Sequence, residues 1–203
     1  MSSASDNTES PAVRSGWIML ARHGEPALSR KIKLDAAGYR EWWARYEEGG
    51  ILEGQTPPSG LLEMARNADV IFASTRRRAI ETAHAVVQGK VFDRDTLFIE
   101  APLPPPSLPR FIRLSPKAWG FISRLAWWFF GHHEGQETRR QAEARSHQVA
   151  KRLIAEAEDG KNVLVLAHGF FNTMVGRDLR RAGWRCVEGR GYRYWSTRRF
   201  TRD

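Results

Sequence analysis

Short apolar runs alternate with stretches of helical periodicity along this 203-residue chain. An uninterrupted apolar run that stops at a polar loop is typical of a buried β-strand. Four such runs predict strands over residues 16–22, 69–75, 96–100 and 161–169. Residues 192–200 alternate enough for one more strand, which we place at a sheet edge.

The segments between these strands have the periodicity of helices. Asp35 is placed to cap the first of them, and the pair Gly49–Gly50 to end it. The predicted helices cover residues 34–50, 77–89, 115–131, 135–160 and 171–183. Strands separated by helices indicate βα units. We therefore predict an α/β fold, a three-layer α/β/α sandwich with a mainly parallel central sheet.

The helix predicted over residues 115–131 is unusually aromatic. One face of it gathers Ala118, Phe121, Ile122, Leu125 and Phe129, while Trp119, Trp127 and Trp128 fall partly off that face. The segment is too short to span a bilayer, and it carries Arg124. We interpret it as an aromatic lid or insert packed over the domain, in preference to a helix that lies at a membrane surface.

Composition bears on the extent of the folded domain and on the cellular compartment. Residues 1–15 are polar, lack the apolar core of a secretory signal and are interpreted as a disordered tail, which leaves residues 16–203 as one domain. Cys186 is the only cysteine, so no disulfide forms within the chain, and we expect a reducing, cytoplasmic location and a structural role for this thiol.

The chain is strongly basic, with a formal net charge of +9. Nine arginines against three acidic residues lie between Arg177 and Asp203. Such an excess attracts polyanions, whether nucleic acid, acidic lipid or phosphorylated substrates, but a solvated surface has the same composition. Charge alone does not choose between these interpretations.

Chemically capable residues follow three of the predicted strands. The first strand ends at Arg22-His23-Gly24, the second at the segment 74–78, and the fourth at His168-Gly169. Parallel strands bring such ends to one edge of the sheet, where α/β proteins bind ligands. Two histidines beside arginines suit a phosphate rather than a metal ion, because guanidinium groups match phosphate oxygens and repel cations. Neighbouring cations also lower the pKa of an imidazole and keep it neutral, as a nucleophile must be.

Three motifs at these strand ends resemble the histidine phosphatase superfamily, whose fold is phosphoglycerate-mutase-like. They are "LARHG", the pattern Ser74…Arg78-Ala79-Ile80-Glu81-Thr82, and a late "LAHG", in the family's order between Gly16 and Asn172. The resemblance implies that His23 is phosphorylated during turnover. It also implies that Arg22, Arg78 and His168 hold the phosphoryl group, whereas we interpret Arg76 and Arg77 as solvated.

The resemblance also places a general acid at the end of the strand that follows the second motif. Glu100 stands there, with Glu53 and Glu63 as the other candidates. Ser29 is a weaker candidate for a hydroxyl contact to phosphate. Asn172 is expected either to bind the phosphate or to cap the following helix.

These residues predict a metal-independent phosphatase that hydrolyses a phosphomonoester through a phosphohistidine, with no cofactor. The substrate is expected to be a phosphorylated small molecule or a phosphoprotein, and no nucleic acid is expected. One alternative is phosphoryl transfer of the phosphoglycerate-mutase type, against which the proline-rich stretch after Glu100 weighs. The other is a phosphate-recognising protein without turnover. The sequence predicts no oligomeric state.

Overall fold

Strand β1 (Ile18–Arg22) lies inside a six-stranded sheet in the computed structural model, which describes residues 15–189 and 191–202. The other strands are β2 (Val70–Ser74), β3 (Asp93–Asp95), β4 (Val163–Ala167), β5 (Arg185–Glu188) and β6 (Thr197–Thr201). Their order across the sheet is β3-β2-β4-β1-β6-β5. The predicted disordered tail lies outside the described residues, apart from Ser15.

Strands β1, β2 and β4, whose ends carry the candidate site residues, run parallel to one another. β4 pairs in parallel with both β1 and β2, with Arg22 opposite Ala167 and Ala73 opposite Leu166. β6 pairs antiparallel with β1, and β5 antiparallel with β6. The mainly parallel sheet is therefore confirmed, and the carboxyl ends of β1, β2 and β4 lie at the same edge.

Helices cover both faces of this sheet. They are α1 (Ala36–Glu48), α2 (Ser59–Asn67), α3 (Arg77–Val87), α4 (Pro116–Phe130), α5 (Arg139–Glu158) and α6 (Gly169–Arg181). The residues of β1 alternate between two cores: Ile18 and Leu20 pack with residues of α5 and α6, while Met19 and Ala21 pack with those of α2 and α3. This period of two divides the apolar residues between the layers, as the predicted three-layer sandwich requires.

The predicted caps of α1 are confirmed. The Asp35 carboxylate accepts a hydrogen bond from the Gly38 main-chain N–H at 2.9 Å, and Gly49 ends the helix. A full capping box between Thr138 and Gln141 begins α5. These local side-chain contacts satisfy N–H groups that the helix itself leaves without partners.

Two predicted strands need correction. Residues 96–100 do not form a strand: Asp95 accepts a hydrogen bond from the Leu97 N–H and begins a 3-10 turn over Thr96–Phe98, so that only β3 joins the sheet. The last strand, β6, is internal, because the unpredicted β5 covers its outer side. Helix α2 was not predicted either.

Helix α4 forms as predicted, with Ser115 capping it, but its tryptophans face inward. Trp119 packs with Tyr39 and Trp42 of α1, and Trp127 packs in the main core. The predicted apolar face instead points outward, with Phe121 and Phe129 exposed. Among the described residues, no helix is long and apolar enough to cross a bilayer.

Candidate active site

The strand ends bring two histidines together. His23 follows β1 and His168 follows β4, and their ring centroids lie 5.3 Å apart in an edge-to-face arrangement. Both side chains are buried. The topology of the sheet therefore assembles the pair that the sequence predicted, from positions far apart in the chain.

The main chain fixes the tautomer of His23. Its Nδ1 lies 2.7 Å from the Gly24 carbonyl oxygen, which only accepts hydrogen bonds. Nδ1 consequently carries the proton, and the lone pair of the neutral ring is on Nε2. This is the arrangement of an imidazole that attacks through Nε2.

The surroundings keep both imidazoles neutral. Burial, then the positive charges of Arg78 and Arg22, hold the pKa of His23 well below its ordinary value of 6.5, with a smaller contribution from Arg30. Burial and Arg78 lower the pKa of His168 in the same direction. Both rings are therefore uncharged at neutral pH and lie among positive charges.

Arg78 is fully buried, and its positive charge acts on both histidines. Its Nη1 donates to the Tyr46 carbonyl oxygen at 2.9 Å, its Nη2 lies 2.7 Å from Glu47 Oε1, and its guanidinium lies over the Tyr46 ring. The last turn of α1 thus orients an arginine in the first turn of α3. The Glu47 carboxylate also contacts Arg76, with Oε2 at 2.8 Å from Nε.

The second motif also holds the backbone at the first strand end. Thr82 Oγ1 accepts a hydrogen bond from the Gly24 N–H at 2.9 Å and donates to the Arg78 carbonyl oxygen at 2.6 Å. Gly24 has no room for a side chain, because an added Cβ would lie 2.5 Å from Trp195 Cζ2. The glycine is therefore needed for packing.

The segment before β6 covers the site from the other side. The Arg22 guanidinium donates to the Tyr192 carbonyl oxygen and lies over the Tyr194 ring, 4.4 Å from its centroid. The Tyr194 hydroxyl accepts from Arg30 Nη1 at 2.7 Å, and its ring lies 5.9 Å from that of His23. The aromatic residues of this segment thus line the cationic pocket.

Several polar atoms of this pocket are buried without a hydrogen-bond partner. They are Nε of Arg22, Arg30 and Arg78, and Nδ1 of His168. A buried polar group left unsatisfied costs about 1–3 kcal/mol. Oxyanion oxygens would satisfy the arginine donors. Within residues 15–189 and 191–202, no three His, Cys, Asp or Glu side chains gather in the way that metal ligands do.

The sequence model of the histidine phosphatase superfamily (branch 1) matches residues 61–188, more than half of the chain. The chain belongs to the histidine phosphatase superfamily. The matched range contains Arg78, Glu100 and His168, whereas Arg22 and His23 precede it. A comparison with curated proteins gives no significant match.

Solved structures with a similar fold include three hydrolases. A mycobacterial glucosyl-3-phosphoglycerate phosphatase is 21% identical over 83% of this chain and 81% of its own, with a TM-score of 0.55. Mycobacterial hydrolase 2 is 23% identical over 83% and 73%, with a TM-score of 0.57. A phosphoserine phosphatase from Entamoeba histolytica is 15% identical over 82% and 80%, with a TM-score of 0.54. At these identities the likeness shows the shared fold, and the phosphoglycerate-mutase-like fold class is confirmed.

In this histidine phosphatase superfamily member, Glu100 meets the start of α6. Its Oε1 accepts from the Phe171 N–H at 2.8 Å, and its Oε2 accepts from the Phe170 N–H at 3.2 Å. A carboxylate is stabilised at a helix N-terminus, so Glu100 has a structural contact that the sequence did not indicate. Its role as general acid stays a prediction.

The two weaker site candidates have structural contacts in this superfamily member. Asn172 does not cap α6, because the helix begins at Gly169 and Asn172 lies inside it. Its side-chain amide instead donates to the Ala21 carbonyl oxygen at 3.0 Å, which ties α6 to β1. Ser29 is exposed, and its hydroxyl accepts from the Lys31 N–H within its own loop. Phosphate binding by either residue stays a prediction, and the loop's contribution to the charge at His23 comes from Arg30.

A cavity of about 510 Å³ has both Glu47 and Glu100 in its wall. It is lined by Trp43, Glu47, Arg76, Glu100, Gln136 and Arg145, among others. Arg76 was expected in solvent, but it turns toward Glu47, whereas Arg77 pairs with Glu81 on the exposed side of α3. Glu53 and Glu63, the other candidates for the acid, do not line this cavity.

Sequence reasoning missed Arg30, Glu47 and Tyr194. Arg30 had a usable signal, because it is a basic residue on the same loop as His23. Glu47 and Tyr194 had none: each reaches the site through tertiary packing, from the end of α1 and from the segment before β6.

Proposed function

We propose that this protein is a phosphatase that hydrolyses a phosphomonoester through a phosphohistidine at His23. The observation that carries the proposal is the state of the His23 ring. Its Nδ1–H is committed to the Gly24 carbonyl, so Nε2 keeps a lone pair. The lowered pKa maintains this neutral form beside the positive charges that a phosphoryl group needs.

The substrate phosphate enters a pocket of positive charge. Arg22 and Arg78 bind its oxygens, His168 contributes a ring nitrogen, and Arg30 adds charge from the loop. The Nε atoms of Arg22, Arg30 and Arg78 are buried without a hydrogen-bond partner. Phosphate oxygens would satisfy these donors and neutralise the repulsion among the guanidinium groups.

Two displacements complete the reaction. In the first, His23 Nε2 forms a bond to phosphorus, the bond from phosphorus to the ester oxygen breaks, and that oxygen takes a proton from Glu100. In the second, water attacks phosphorus, the phosphorus–nitrogen bond breaks with its electrons returning to Nε2, and the water proton passes to Glu100. The products are an alcohol and inorganic phosphate, and the chain returns to its starting state.

The cavity beside Glu100 gives the substrate's leaving group a place. Its walls combine Trp43 with polar groups of Gln136 and Arg145. We propose a phosphorylated small molecule or a phosphoprotein side chain as substrate. The names of the two phosphatases of similar fold, for glucosyl-3-phosphoglycerate and phosphoserine, support a phosphomonoester of this kind.

The test is hydrolysis of p-nitrophenyl phosphate by the full chain in the presence of EDTA. We expect turnover by the wild type, none by His23→Ala, and full turnover by His147→Ala, a matched change on the exposed side of α5. Turnover by His23→Ala would overturn the proposal. Saturable phosphate binding without turnover would indicate a recognition protein, and isomerisation of a phosphoglycerate primed by a bisphosphate would indicate a mutase.

A further inference from the structure

The outward face of α4 carries an apolar stripe that is exposed and does not belong to the core of the domain. Phe121, Leu125 and Phe129 recur every four residues, and Phe130 follows them at the helix end. Phe121 is 62% exposed, Phe129 69% and Phe130 84%. The inward side of the helix already supplies Trp119 and Trp127 to the cores. We call these four outward residues the aromatic stripe.

Positive charge predominates near the start of this stripe, while Glu134 lies beside Phe130 at its other end. Residues 101–133 contain Arg110, Arg113, Lys117 and Arg124 and no acidic residue. Residues 26–34 likewise contain Arg30, Lys31 and Lys33 and no acidic residue. An antiparallel bridge between Leu34 and Leu114 joins the two segments side by side.

The exposed cations of these segments form one margin. We call it the basic margin: Lys31, Lys33, Arg110, Arg113 and Lys117, all exposed. Phe111, 84% exposed, lies between two of its arginines along the chain. Arg110 reaches Asp35 only at 3.9 Å, and its side chain is 95% exposed.

We propose that the aromatic stripe and the basic margin together bind the surface of an anionic lipid bilayer. Phenylalanine and leucine enter the boundary between headgroups and acyl chains, while lysine and arginine contact the lipid phosphates. A helix of 15 residues is about 22 Å long and lies in this plane instead of crossing the roughly 30 Å hydrocarbon layer. The overall charge of +9 adds long-range attraction to the same surface.

A second copy of the chain fits this surface less well. A symmetric dimer sets the same patch of both subunits face to face. The basic margins would then oppose each other without an acidic partner in either segment. An anionic bilayer, in contrast, complements the apolar and the charged part at once.

The experiment is co-sedimentation of the full chain with vesicles. We expect binding to equimolar phosphatidylcholine and phosphatidylglycerol, little binding to phosphatidylcholine alone, and release by added salt. Phe121→Ser with Phe129→Ser should weaken binding roughly tenfold or more, because two apolar side chains no longer enter the bilayer. Arg113→Glu with Lys117→Glu should weaken it at least about fivefold for each lost cation.

Matched controls separate this surface from general effects. Val91→Ser with Val187→Ser removes exposed apolar residues elsewhere, and Lys151→Glu reverses an exposed charge on α5. Both should bind like the wild type, and thermal unfolding verifies that every variant folds. The proposal is overturned if the anionic vesicles do not bind the protein, or if the stripe variant binds them as well as the wild type. A dimer that the stripe variant dissociates, without vesicle binding, would instead assign this face to a second copy.

Discussion

Glu47 Oε1 lies 2.7 Å from Nη2 of Arg78, inside the pocket that we propose for phosphate. The other oxygen of this carboxylate lies 2.8 Å from Nε of Arg76. A carboxylate and a phosphate compete for the same guanidinium groups, since both offer oxygens in a similar geometry. Glu47 therefore opposes phosphate binding while it compensates the buried charge of Arg78.

The first prediction concerns this ion pair. Glu47→Gln should tighten the binding of inorganic phosphate by roughly tenfold, because a negative charge next to the ligand is removed. The same change should destabilise the phosphate-free protein by about 1–3 kcal/mol, because it leaves Arg78 buried with a weaker hydrogen-bond partner. Isothermal titration and thermal unfolding measure the two effects. Glu48→Gln, one residue further along α1 and exposed, is the matched control; equal phosphate affinity in all three proteins would contradict the prediction.

The second prediction separates the two roles of Glu100. A general acid matters most for a poor leaving group, so Glu100→Gln should lower kcat by about 10²- to 10⁴-fold for an alkyl phosphate and far less for p-nitrophenyl phosphate. A residue that only holds the start of α6 would reduce both rates alike. Glu53→Gln and Glu63→Gln should leave both rates unchanged. Steady-state kinetics with the two substrates decides between these outcomes.

The third prediction uses the packing of Gly24. Gly24→Ala puts a methyl group against Trp195, so we expect a loss of about 1–3 kcal/mol in unfolding free energy, and lower activity as the segment before β6 is displaced. Gly60→Ala is the matched control, since nothing lies within 4 Å of its added Cβ and the residue is in α2. Adding Trp195→Ala to Gly24→Ala should recover part of the loss. Additive effects in this double-mutant cycle would show that the two residues do not clash.

The fourth prediction follows from the lowered pKa of His23 and His168. Below their ordinary pKa of 6.5, the unfolded chain binds protons that the folded protein excludes, so stability falls as the pH falls. Each histidine contributes up to about 1.4 kcal/mol per pH unit between about pH 6.5 and its folded pKa. Urea unfolding as a function of pH should show a smaller slope in His168→Asn. The slope in His147→Asn, whose ring is exposed, should equal that of the wild type; a wild-type slope in His168→Asn would contradict the prediction.

The sequence predicted those parts of the fold that depend on local pattern. Every residue of β4 is apolar, so the sequence alone was enough to predict this strand, and every residue of it is buried. The run at residues 96–100 looked similar, but Asp95 caps a turn there and Phe98 packs on Phe72. In α4 the periodicity predicted the helix correctly, but it did not tell that the tryptophans are buried and that Phe121 and Phe129 are exposed, because periodicity does not show which face the domain covers.

The candidate site was predictable as far as strand ends determine it. His23 and His168 both follow strands that are parallel neighbours, and the topology alone brings them together. Glu47 and Tyr194 belong to segments whose positions depend on packing over the whole domain. No short motif encodes such contacts, which explains why the sequence did not indicate that Glu47 pairs with Arg78 or that Tyr194 packs beside His23.

Detection of the phosphohistidine decides whether His23 is the nucleophile. The full chain is mixed rapidly with a phosphomonoester and quenched in alkali, which preserves a phosphorus–nitrogen bond, and its peptides are then analysed by tandem mass spectrometry. We expect one phosphoryl group on His23, which is lost on acid treatment and is absent from His23→Asn. Steady hydrolysis with a phosphoryl group on another residue, or hydrolysis that continues in His23→Asn, would contradict it.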